Sequence, residues 1–114
     1  MTMKQMPQFS FRFKEWHLLH NVLNEVTHGF RVEDHEAVIG LPKSDLEKFL
    51  SDLHHLSRRR VVKLDLKWTR VFRNALAEAI RRIPISEFET RTSYYPDEAQ
   101  AILEKLNHLI SGVQ

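Results

Sequence analysis

The chain has no cysteine and only three glycines. The first absence excludes disulfides, thiolate metal sites and cysteine nucleophiles, and it fits a reducing compartment. The second leaves no glycine-rich loop to cradle a phosphate, and neither a serine nucleophile elbow nor a His/Asp/Glu metal motif is present. No stretch approaches the roughly 20 consecutive apolar residues of a membrane span. The opening MTMKQMPQFSFRF lacks the apolar run of a secretory signal. These absences set the expectation of a cytoplasmic protein with no cofactor, no metal and no membrane partner.

What is present begins with ordinary globular material. The chain has 114 residues, 42% hydrophobic and 28% charged, enough for one domain. Its net charge of +2 hides a segregation. Between Ser57 and Arg82 stand nine basic residues (Arg58, Arg59, Arg60, Lys63, Lys67, Arg70, Arg73, Arg81 and Arg82) against two acids, Asp65 and Glu78. That stretch carries +7 and the rest of the chain −5. A basic middle attracts an anionic partner, or the acidic ends of the same protein.

The dominant signal is an internal repeat. A shift of 53 positions lays residues 14–56 on 67–109 without a gap. Lys14/Lys67, Asn21/Asn74, Leu23/Leu76, Glu25/Glu78, Glu36/Glu89, Leu50/Leu103, Leu53/Leu106, His55/His108 and Leu56/Leu109 are identical. Each unit is short for a core of its own, so two units sharing one core are expected.

The alternation in Phe9–Phe13 and Val62–Leu66 predicts two strands, each with one buried face. A two-fold relation between the units would pair them antiparallel. Trp16, Leu19, Leu23, Val26 and Phe30 form one face of a helix over about 15–28, with Gly29 as a left-handed cap. Phe72, Leu76, Ala79 and Ile83 do the same over about 68–82, where Pro84 stops the helix. Residues 30–43 and 83–96 read as a short strand (30–32, 83–85) with a helical turn, or as an ordered loop. A second helix in each unit follows the capping signals Ser44-Asp45-Leu46-Glu47 and Asp97-Glu98-Ala99-Gln100. The expected fold is α+β and mainly helical: a tandem pseudo-two-fold repeat of a strand–helix–helix unit sharing one core. It forms a single domain over residues 1–114, with units at about 9–56 and 62–109, after a short tail over 1–7.

Four constellations bear on function. His17 and His20 have a spacing that suits two metal ligands, but His17, His20 and His28 become Arg70, Arg73 and Arg81 in the second unit. Arginine does not ligate metals, so exposed polar positions are expected there. His54–His55 ends a helix, where an imidazole complements the carbonyls. The repeated polar cluster Asn21, Glu25, Glu36, Asn74, Glu78 and Glu89 is the most conspicuous. Asparagine is a poor helix-interior residue, so its duplication points to hydrogen bonds to the irregular segments, ahead of a paired carboxylate site. The stretch 35–53, HEAVIGLPKSDLEKFLSDL, resembles a helix-turn-helix with Gly40 at the turn. Its would-be recognition helix exposes Asp45, Glu47 and Asp52, the wrong sign for a phosphate-lined groove.

A basic face made of Arg58, Arg59, Arg60, Lys67, Arg70, Arg73 and Arg81 is the better candidate binding surface. Tyr94-Tyr95 is read as closing over the core edge or forming a contact. The expectation is a small non-enzymatic interaction module that binds a protein partner or itself, as a homodimer. Nucleic acid is the second partner class, and a small enzyme using the Asn/Glu clusters is third.

Overall fold

A computed structural model describes residues 7–55 and 60–113, without the side chains of His54 and His55. The readings on residues 1–6, on Leu56, Arg58 and Arg59, and on the His54–His55 imidazoles lie outside the described residues. The chain runs β1 (Gln8–Arg12), α1 (Phe13–Asn24), a π-helical turn (Glu25–Gly29), α2 (His35–Val38), α3 (Lys43–His55), β2 (Val61–Asp65), α4 (Leu66–Arg82), α5 (Ile85–Thr92) and α6 (Pro96–Ser111). It is mainly helical with one small sheet, an α+β arrangement.

The strands pair antiparallel with Ser10 opposite Lys63, Phe9 opposite Leu64 and Phe11 opposite Val62. Phe11, Val62 and Leu64 are buried, whereas Gln8, Ser10, Arg12, Val61 and Lys63 are exposed. Both strands stop one residue earlier than the alternation suggested, because Phe13 and Leu66 already begin helices. Asp65 caps α4 by accepting from the Trp68 N–H at 2.9 Å, and the Glu15 carboxylate accepts from the Arg12 N–H at 3.0 Å at the start of α1. These first-turn bonds satisfy orphan amides and fix the strand-to-helix corner.

A two-stranded sheet is marginal unless helices pack on it. Here one core cluster joins residues of both halves: Phe11, Trp16, Leu19, Leu23 and Val26 with Leu64, Phe72, Leu76 and Ala79, all buried. Leu18 and Val22 on α1, and Val71 and Ala75 on α4, are buried as well. These two helices are thus covered over more than the single stripe the spacing predicts, because sheet and helices press on them from different sides. Leu46, Leu50 and Leu53 on α3, and Ala99 and Leu106 on α6, fill the periphery. Phe49 stacks on Trp68 with ring centroids 3.7 Å apart.

Several local expectations are corrected. Gly29 is not left-handed. It ends the π turn, and a Cβ there would fall 1.9 Å from Glu25 Oε2, so the residue is small because a carboxylate lies over it. Residues 30–32 form no strand, and Ile85 opens α5 rather than closing one. Ser44 is not a cap: α3 starts at Lys43, and the Pro42 carbonyl accepts from the Asp45 and Leu46 N–H groups. In α6 the Glu98 carboxylate accepts from the Tyr95 N–H at 3.1 Å.

The turns after α2 and α5 both need a positive φ, 110° at Gly40 and 70° at Ser93. Glycine adopts this region freely, and an L side chain does so at a cost. A Cβ at Gly40 would make only ordinary contacts, at 3.6 and 3.7 Å. Gly40→Ala should therefore destabilise the protein through its backbone alone, by about 1 kcal/mol or more. Ser93→Gly should stabilise it by up to about 1 kcal/mol. Urea denaturation of both variants reads the two signs.

Candidate binding surfaces

The duplicated asparagines reach the opposite half of the molecule. Asn21 Nδ2 on α1 donates to the Thr92 carbonyl at 2.8 Å. Asn74 Nδ2 on α4 donates to the Ile39 carbonyl at 2.9 Å. Both acceptors immediately precede the positive-φ residues, and both are fully buried. A helix end turned back in this way leaves carbonyls without intrahelical partners, and the amides supply the missing donors.

Each amide is itself held. Asn74 Oδ1 accepts from Arg73 Nε at 2.8 Å. Asn21 Oδ1 lies 3.3 Å from His20 Nδ1. An amide oxygen only accepts, so His20 must carry its proton on Nδ1 for this bond. His20 and Arg73, 53 positions apart, thus do the same job.

The glutamates diverge. Glu25 pairs with Arg91 of α5, whose Nη2 also reaches the Gly29 carbonyl at 3.4 Å. Glu78 instead pairs locally with Arg81 and Arg82, each at 2.8 Å. Burial pushes the Glu78 carboxyl up, but hydrogen bonds from Arg81 and Arg82 and their charges outweigh it and hold the group below the usual carboxylate range. Glu36 and Glu89 are both exposed. The six polar residues are therefore not gathered into one site. Among the described residues no group of three or more His, Asp or Glu side chains is placed to hold a metal ion.

The basic face is only partly an open surface. Arg60 and Lys67 are exposed, and Arg70 is half-buried. Arg73 is half-buried on Asn74 and also reaches Asn107 Oδ1 at 3.5 Å. Arg81 is ion-paired. The helix-turn-helix resemblance also weakens, because α2 is a single turn of four residues.

His17 is not the simple exposed position expected of it. Its Nδ1 meets the Tyr94 hydroxyl at 2.9 Å, and the Phe13 ring stacks on it with centroids 5.0 Å apart. Burial, then the neighbouring His20 charge, lower its pKa from the ordinary 6.5. Burial, then Glu98, raise that of Tyr94. Tyr94 packs on the core edge, whereas Tyr95 is 58% exposed. Sequence reasoning missed Arg91 and the His17–Tyr94 pair, for which no repeated residue gives a signal. It missed the asparagine acceptors too, although Ile39 and Thr92 are themselves 53 positions apart, as the asparagines are.

No family model, curated protein or solved structure matches this chain. No helix among the described residues is long and apolar enough to cross a membrane.

Removing either amide strands a buried carbonyl, which costs about 1–3 kcal/mol. Asn21→Ala and Asn74→Ala should each lower the unfolding free energy by that amount in urea. A change within about 0.5 kcal/mol, the range of an ordinary surface substitution, would show that the amides are not structural.

Proposed function

We propose that this chain is a small non-enzymatic binding module that works by associating with protein, a second copy of itself included. The observation that carries this reading is the opposite sign of its outer helix faces. Among exposed residues Asp45, Glu47 and Asp52 outnumber Lys43 and Lys48 on α3, and Asp97, Glu98 and Glu104 outnumber Lys105 on α6, while α4 carries the exposed Lys67 and the half-buried Arg70. Ile85 at the start of α5, at 83% exposure, and Tyr95 before α6, at 58%, add exposed apolar area. Four of the six duplicated polar residues are engaged within the fold: the asparagines hold turns, and Glu25 and Glu78 are ion-paired.

The same proposal takes the chain to be one domain built from two copies of a strand–helix–helix unit about a pseudo-two-fold axis. Three features support it. β1 and β2 begin 53 positions apart and pair about Ser10 and its copy Lys63. The two asparagine bonds exchange under the same shift. The two positive-φ residues also fall 53 apart.

Nucleic acid is the second reading, favoured by the exposed cations Arg60, Lys63 and Lys67. Charge reversal at Arg70 separates protein docking from fold damage, since Arg73 must be kept to hold Asn74. Arg70→Glu should weaken self-association by at least about tenfold, roughly 1.4 kcal/mol, in light scattering at low salt, with an unchanged unfolding transition. A clean monomer at all concentrations, or an unaffected oligomer, would contradict docking through α4.

A further inference from the structure

We infer that the outward face of the β1–β2 ribbon is a surface for the major groove of duplex DNA. This rests on the nucleic-acid reading and moves its site from the α4 face to the sheet. A major groove admits a two-stranded β-ribbon as readily as a helix, and here the sheet is such a ribbon, with helices on one face only of its alternating pattern. The outward row consists of Gln8, Ser10 and Arg12 on β1 and Val61 and Lys63 on β2, all exposed, with the half-buried Asp65 opposite Gln8 at its end. Apart from Val61 the row is polar, with two cations against one carboxylate. Gln8, Arg12 and Lys63 are side chains that bond base edges, an amide to adenine and the cations to guanine.

The charge around the ribbon is complementary to phosphate. Lys14 and Lys67, one of the identical pairs, stand exposed in the first turns of α1 and α4, directly beyond the two strands. Because the strands are antiparallel, the two lysines put one cation beyond each end of the ribbon. The neighbouring acids, both half-buried, are engaged by local bonds. Asp65 caps the Trp68 amide. Glu15 accepts from the Arg12 N–H and pairs with Lys105. None of the ion pairs among the described residues involves Arg12, Lys14, Lys63 or Lys67.

The same face argues against other nucleic acids. It carries no aromatic ring on which single-stranded bases would stack, and the deep, narrow major groove of A-form RNA shuts out a ribbon. B-form DNA is the class that fits.

The test is fluorescence anisotropy with a labelled mixed-sequence duplex of about two helical turns, roughly 21 base pairs, at low and physiological salt. The full chain should bind the duplex more tightly than the matching single strand and lose affinity steeply with salt. Arg12→Ala with Lys63→Ala should weaken binding at least about tenfold and flatten the salt slope by about 1–2, with an unchanged thermal transition because both side chains point to solvent. Arg70→Glu should matter far less. If Arg70→Glu abolishes binding and the ribbon variant does not, nucleic-acid binding stands and the ribbon assignment falls. If the single strand binds as tightly as the duplex, the groove assignment falls. If no duplex binding occurs even at low salt, both the ribbon surface and the nucleic-acid reading fall, and the protein-association reading is untouched.

Discussion

Two amide-to-carbonyl hydrogen bonds, Asn21 to Thr92 and Asn74 to Ile39, hold the halves of this molecule in register. Each runs from the middle of a long helix to a turn made by the other half of the chain. The turns carry buried carbonyls that water does not reach, so the bonds are obligatory rather than ornamental. The apolar core supplies most of the driving force but little direction. The amides supply direction, because an asparagine can satisfy a carbonyl only at one place along its helix. With the strands paired at Ser10 and Lys63, these bonds tie a turn in each half of the chain to a helix of the other.

Residues that stand 53 positions apart differ where their side chains meet the surface. Glu25 crosses to Arg91, and α1 accommodates it by widening into a π turn that closes with the Phe30 N–H on the Glu25 carbonyl at 3.1 Å. The Thr27 hydroxyl donates to the Leu23 carbonyl within the same stretch. Among the described residues Glu78 has no such partner in the other half, where Val38 stands 53 positions before Arg91. It turns to Arg81 and Arg82, and α4 continues as a regular α-helix to Arg82. Likewise His17 finds Tyr94, where Arg70 would meet Leu41. Positions 53 apart thus carry different chemistry.

The strands, the first and last helices of each half and their buried faces were legible, because period-two and period-3.6 patterns report which side faces a core. The duplicated asparagines were legible as backbone partners, since a residue that weakens a helix and yet recurs must gain something back. What escaped were the turns. Ser93 adopts a positive φ that its residue type does not advertise. Gly29 advertises one and does not adopt it, because its role is to make room for the Glu25 carboxylate. Ser44 carries a capping signature that Pro42 pre-empts. Nor could spacing distinguish His20, which orients an amide, from a surface base. The turn at Ser93 and the carboxylate over Gly29 are held by residues more than 60 positions away, Asn21 and Arg91, whereas Ser44 and His20 are set by close neighbours in geometry that spacing does not report.

The most direct measurement separates the halves. Residues 1–57 and 58–114, produced independently, should each lack a cooperative unfolding transition by circular dichroism, and mixing them should restore helix and a single transition. A half that folds cooperatively alone would contradict the claim that the two share one core and complete each other's turns.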